Sequence, residues 1–180
     1  MPPGRPDPDL TAADAATTFA TNYYNALRDS RSAIKNYYCE PAADSAIKVP
    51  RIIWNGNEIP DVDAMQKLFV DEMPPTFYEV QAVDAQVLNS RYFPDLGSDR
   101  NISIAVTVAG FLRLEHPKTG PLHEFSENFI LIPNRAKLMN KGVGQSKRDW
   151  LIQNQIFRYV VTHDPIETAG WTTTMEVDAS

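Results

Sequence analysis

Ile102-Ser-Ile-Ala-Val-Thr-Val-Ala-Gly-Phe-Leu-Arg-Leu114 is the stretch on which the fold turns. Its apolar residues Ile102, Ile104, Val106, Val108, Leu112 and Leu114 share one parity, and a period of two over this length marks a β-strand with one face in a core. Residues 77–88, 122–132 and 150–161 carry the same period. The first of these changes phase near Gln81-Ala82, which predicts a β-bulge.

Upstream of residue 75 the period is helical. A helix is expected from Thr11, where Thr-Ala-Ala-Asp14 resembles a capping box, with Phe19, Tyr23, Ala26 and Leu27 on its core face. Asp29-Ser30 can cap a second, short helix carrying Ile34, Tyr37 and Tyr38. Residues 46–49 and Arg51–Trp54 read as a short strand pair, with a turn at Asn55-Gly56. Asp61-Val-Asp63 opens a third helix with Met65, Leu68, Phe69 and Met73 on one side, and Pro74-Pro75 stops it. Helices first and strands afterwards give an α+β fold with three N-terminal helices on an antiparallel sheet.

At 180 residues the chain is long enough for one domain with a sizeable core, and 18 aromatic residues exclude disorder throughout. Residues 1–10 read as an extended, disordered lead-in, 11–161 as the domain, and 162–180 as a loose tail. A net charge of −6 argues against a free-standing nucleic-acid binder. The single cysteine, Cys39, excludes an internal disulfide and fits a reducing compartment. Neither a signal peptide nor a membrane span is legible, so a soluble intracellular protein is expected.

The last two strands are apolar on both parities. Trp150, Ile152, Ile156 and Val160 alternate with Leu151, Phe157, Tyr159 and Val161, and Phe125, Phe129 and Leu131 with Leu122, Ile130 and Ile132. Three helices cover only one face of a sheet. Each large side chain left uncovered forgoes roughly 1.5–3 kcal/mol of burial, so the second face is expected to meet a partner surface or the C-terminal tail.

The order of motifs resembles the nuclear transport factor 2-like family. It is carried by Phe19-x3-Tyr23-Tyr24-x2-Leu27, Arg31-x2-Ile34-x2-Tyr37-Tyr38 and Trp54-Asn55-Gly56 in the first half. Asp84-x-Gln86-Val87, Val106-x-Val108-x-Gly110, Phe125-x3-Phe129-x-Leu131 and Trp150-x-Ile152-x4-Phe157-Arg158 follow in the second. Within that family the Trp-Asn-Gly and Phe-Arg elements resemble the branch, in its fungal form, that supplies small subunits of the heterodimeric general mRNA export receptor. The resemblance implies a cone-like fold, a curved sheet wrapped on three helices, and a non-catalytic role without cofactor. It implies a large export subunit docked on the sheet face, passage through nuclear pores by contact with Phe-Gly-repeat nucleoporins, and shuttling between nucleus and cytoplasm. It further implies that Arg158 pairs with an aspartate of the large subunit.

An arginine amid apolar neighbours is costly unless paired. By parity Arg158 shares a face with Trp150, Ile152, Ile156 and Val160, so these residues and Phe129 form the expected interface. An intramolecular pair with Asp84 or Glu127 is the alternative. Residues 133–149 hold Arg135, Lys137, Lys141, Lys147 and Arg148 against one acid, Asp149. That is a +4 loop on a body that must carry −10 for the total of −6. Such a loop either contacts RNA phosphates without sequence preference or is simply solvated; Leu138 and Met139 also leave room for protein contact.

Catalytic chemistry is weakly represented. Gly142-Val-Gly-Gln-Ser-Lys147 lacks phosphate-loop spacing, and His116, His123 and His163 offer no ligand pair for a metal. Cys39 reads as a small buried hydrophobe. Cone-shaped domains of this kind also host isomerases and dehydratases, for which Asp84, His123, Tyr24 and Tyr78 are the available candidates. A homodimeric import factor for a GDP-bound small GTPase is the other reading the resemblance allows.

Overall fold

The computed structural model describes residues 6–43, 46–139 and 148–160. Its first element, α1 (Pro8–Asp29), begins three residues before the expected start, inside the expected lead-in. Asp7 is the N-cap, its carboxylate accepting from the Asp9 amide at 3.0 Å, and Pro8 occupies the first turn, where its missing N–H costs nothing. The helix buries Phe19, Tyr23, Tyr24 and Leu27 along one face.

A 3-10 helix (Arg31–Tyr37) follows and buries Ile34 and Tyr37. Residues 46–49 form no strand. Strand β1 (Arg51–Trp54) pairs instead with β2 (Asn57–Ile59) on the far side of the Asn55-Gly56 turn. Both turn residues have positive φ, 48° and 81°, as a tight two-residue hairpin demands. Helix α2 (Val62–Lys67), capped by Asp61, runs on into a π-helical turn (Leu68–Glu72), with Met65 and Phe69 fully buried.

Arg31 ties these helical ends together. Its guanidinium donates to the carbonyls of Leu27, Phe69, Met73 and Pro74 at 2.6–2.9 Å, satisfying helix-terminal acceptors that would otherwise lack partners.

The long strands are β3 (Thr76–Asn89), β4 (Ser103–Leu114), β5 (Leu122–Pro133) and β6 (Trp150–Tyr159). They build one six-stranded sheet in the order β2-β1-β6-β5-β4-β3. All neighbours are antiparallel except β1 and β6, which run parallel because the last strand inserts beside the first. The expected bulge in β3 is present: Val80 faces Gly110 and Ala82 faces Ala109, leaving Gln81 over.

The bulge in β6 was not legible. Leu131 pairs with Ile152 but Ile130 pairs with Asn154, so Gln153 is extra and β6 changes phase in its middle. Trp150 and Ile152 face the helices, and after the bulge Gln155 and Phe157 do. Aromatic rings fill the space between: Phe19 and Tyr23 meet Phe129 at 5.0 and 5.3 Å, and Trp54 stacks on Phe157 at 3.9 Å. A short α3 (Arg135–Met139) occupies the start of the basic loop. No helix among the described residues is long and apolar enough to cross a membrane.

Candidate functional site

The face of the sheet turned away from the helices is set by strand register. On β4 it presents Thr107, Ala109 and Phe111, on β5 Glu124, Ser126, Asn128, Ile130 and Ile132, and on β6 Asn154, Ile156 and Arg158. Ile53 of β1 lies directly beside Ile156. Ile53 and Ile156, with Ile130 on the diagonal, therefore make an apolar strip that is partly buried in the isolated chain. Thr107 donates to Asn128 at 2.8 Å in the polar part of the same face.

The phase change at Gln153 divides the expected interface set. Trp150, Ile152 and Phe129 belong to the core, at 7%, 0% and 2% exposure, and are not available to a partner. Ile156 and Arg158 lie on the open face, and Val160, just past the strand, is 38% exposed. Parity counted through an unseen bulge puts both groups on one side; the extra residue moves them apart.

Arg158 is exposed and sits opposite Ser126. Among the described residues it has no acidic partner. Glu127 points to the other face, and Asp84 lies three strands away, roughly 14 Å at ordinary strand spacing. Neither intramolecular alternative is made.

Inside the cone lies a polar cluster whose residues sequence reasoning did not gather. Glu127 is fully buried; Tyr24 donates to its Oε2 at 2.7 Å and Gln155 to its Oε1 at 2.6 Å. Gln155 also donates to the Tyr23 hydroxyl at 2.7 Å and accepts from Tyr38 at 2.5 Å. Burial pushes the Glu127 carboxyl up to about 7, against the pull of its two hydrogen bonds. The same desolvation raises Tyr23, Tyr24 and Tyr78 well above the usual phenol range. The available signal was parity, since Glu127 shares the face of Phe125, Phe129 and Leu131.

The four candidate catalytic residues do not converge. Tyr24 and Tyr78 lie 5.0 Å apart in the core, His123 meets Tyr159 at a tilt, and Asp84 is on the opposite face of the sheet. Among the described residues no group of three or more His, Cys, Asp or Glu could hold a metal. Cys39 is buried, and that burial pushes its thiol up to about 11.

The basic residues are dispersed. Arg135 pairs with Asp95 and lies over the Phe93 ring at 4.9 Å. Arg148 stacks on Tyr37 at 3.5 Å, and Lys137 lines the same groove. Lys141 and Lys147 lie outside the described residues. That groove, about 840 Å³, runs between the N-terminal half of α1 and residues 148–150.

No protein-family model matches the chain. Over 148 residues it is 26% identical to human NTF2-related export protein 2, covering 82% of this chain and 87% of that one. Its structure superposes on a solved chain of the Chaetomium thermophilum Mex67 NTF2-like domain complexed with Mtr2, with a TM-score of 0.68. That match is 19% identical and covers 84% of this chain and 99% of the other. A solved structure of Mtr2 matches with a TM-score of 0.65 at 18% identity, covering 84% of this chain and all of that one. The chain has the NTF2-like fold. In an NTF2-like fold the helix-covered face makes the core, which leaves the opposite sheet face as the surface to be explained.

Proposed function

We propose that this chain is the non-catalytic small subunit of a nuclear mRNA export receptor, joined through its open sheet face to the NTF2-like domain of a large subunit. The observation that carries the reading is that face itself: a strip of Ile53, Ile130 and Ile156 beside an exposed Arg158 that forms no ion pair among the described residues. An apolar strip with exposed Arg51 and Arg158 on the same face suits a partner offering apolar side chains and carboxylates. The similarity to a human export protein, and to chains solved as Mex67 with Mtr2, supports a partner of the same fold. The closely packed cone interior supports a role in assembly over catalysis, because Tyr23, Phe125 and Phe129 occupy the space a substrate would need.

As such a subunit the protein would act in the nucleus and at the pore, shuttling with its partner past Phe-Gly-repeat nucleoporins. Direct RNA contact by residues 133–149 would rest on Lys137, Lys141, Lys147 and Arg148, since Arg135 is neutralised by Asp95. Reversing those four charges tests such contact: weaker RNA crosslinking to the dimer with a flatter salt dependence would establish it, and unchanged crosslinking would leave the loop to protein contact. The functional class is tested by pull-down from nuclear extract with this chain as bait. Recovery of a large export subunit is expected. A clean homodimer that captures a GDP-bound GTPase instead would establish the import-factor reading.

A further inference from the structure

The groove beside α1 has no part in the sheet-face interaction, because it lies on the helix side of the sheet. Its walls are the rings of Phe19, Tyr37 and Trp150, and its cations are Arg100, Lys137 and Arg148. Arg100 is already engaged: it pairs with Asp149 at 3.1 Å and lies over the Trp150 ring at 5.1 Å. Arg148 is not. Its guanidinium lies over the Tyr37 ring at 3.5 Å, and among the described residues it has no acidic partner. A guanidinium positioned against a ring is pre-arranged for an anionic acceptor.

We infer that this groove binds a short acidic peptide segment of a partner protein, seating one carboxylate on Arg148 and Lys137 and an adjacent aromatic or aliphatic side chain against Phe19, Tyr37 and Trp150. Two observations favour peptide over nucleic acid. Asp14, Asp99 and Asp149 also line the groove, so a polyanion would meet as many acids as cations. The Phe19, Tyr37 and Trp150 rings line it beside a guanidinium with no acidic partner among the described residues, which suits one charge beside one greasy side chain. Because the groove and the open sheet face lie on opposite sides of the sheet, both can be occupied at once, and the inference stands without the heterodimer reading.

The test is fluorescence anisotropy on the full chain with a labelled, end-blocked Leu-Glu-Phe-Asp tetrapeptide, and with its Leu-Gln-Phe-Asn amide counterpart. The acidic peptide should saturate below about 1 mM and the amide should bind about tenfold or more weakly. Lys137→Glu and Arg148→Gln should each weaken the acidic peptide about tenfold, with the circular dichroism spectrum checking the fold. Lys137→Glu keeps the test decisive should Arg148→Gln lose packing on Tyr37. Equal binding of both peptides, no saturation of either, or wild-type binding in Lys137→Glu would overturn the inference. So would a uridine 12-mer that displaces the acidic peptide and itself loses affinity in Arg148→Gln, which would assign the groove to nucleic acid.

Discussion

The protonation of Glu127 is coupled directly to the stability of the fold. Its carboxyl is fully buried, and burial lifts it from an ordinary 4.5 to about 7. Below pH 4.5 the folded and unfolded chains both hold the proton. Between 4.5 and 7 the native carboxyl keeps a proton that the unfolded chain has released, so stability falls as pH rises through this window. Above 7 the charge is buried and the penalty is complete. Glu127→Gln, which preserves an acceptor for Tyr24, should stabilise the protein at pH 8 by up to about 3 kcal/mol and flatten its pH dependence between 4.5 and 7. Urea midpoints of both proteins across that range check this, and two parallel curves would refute it. Sequence parity alone places Glu127 inward with Phe125 and Phe129. An acid in a strand nevertheless reads by default as solvent-facing, and its partners Tyr24 and Gln155 are 103 and 28 residues away.

Bulges decide which side chains each strand offers. The one in β3 was legible because it interrupts a strand whose apolar residues occupy one parity, so the extra residue shows as a change of phase. In β6 both parities are apolar, and an added residue leaves the hydrophobic pattern looking unbroken. That is why Trp150 and Ile152 read as companions of Ile156 and Arg158, although Gln153 turns the two halves to opposite faces. The β3 bulge also explains Gly110: a Cβ there would lie 2.1 Å from the Glu79 carbonyl oxygen, a backbone atom unable to yield cheaply. Gly110→Ala should destabilise the protein by about 3 kcal/mol, and a loss under about 0.5 kcal/mol would show that the bulge relaxes without strain. Arg31 is the corresponding device among the helices. Arg31→Ala should cost about 2 kcal/mol or more, measured by urea unfolding, and Arg31→Lys should not restore it, because an ammonium lacks the fork that spans four carbonyls. Recovery in the lysine variant would show that charge alone matters there.

At the scale of the whole molecule, the order of helices and strands was legible from period alone, since 3.6 gives way to 2 at Pro74-Pro75. The parallel contact of β1 with β6 was not, because nothing local in either strand says which neighbour it will take. The open face was anticipated from the doubly apolar strands, although its membership needed the register. On the proposed function this face makes the chain half of an assembly, through an apolar strip flanked by exposed arginines and lying outside the closely packed core. Substitution at Arg158 should therefore be felt by a partner and hardly at all by the fold. The direct measurement is co-purification of the large export subunit with wild-type and Arg158→Glu chains, alongside urea unfolding of each chain alone. The account predicts loss of the heterodimer with an unfolding midpoint close to wild type. Normal co-purification of the Arg158→Glu chain would contradict it.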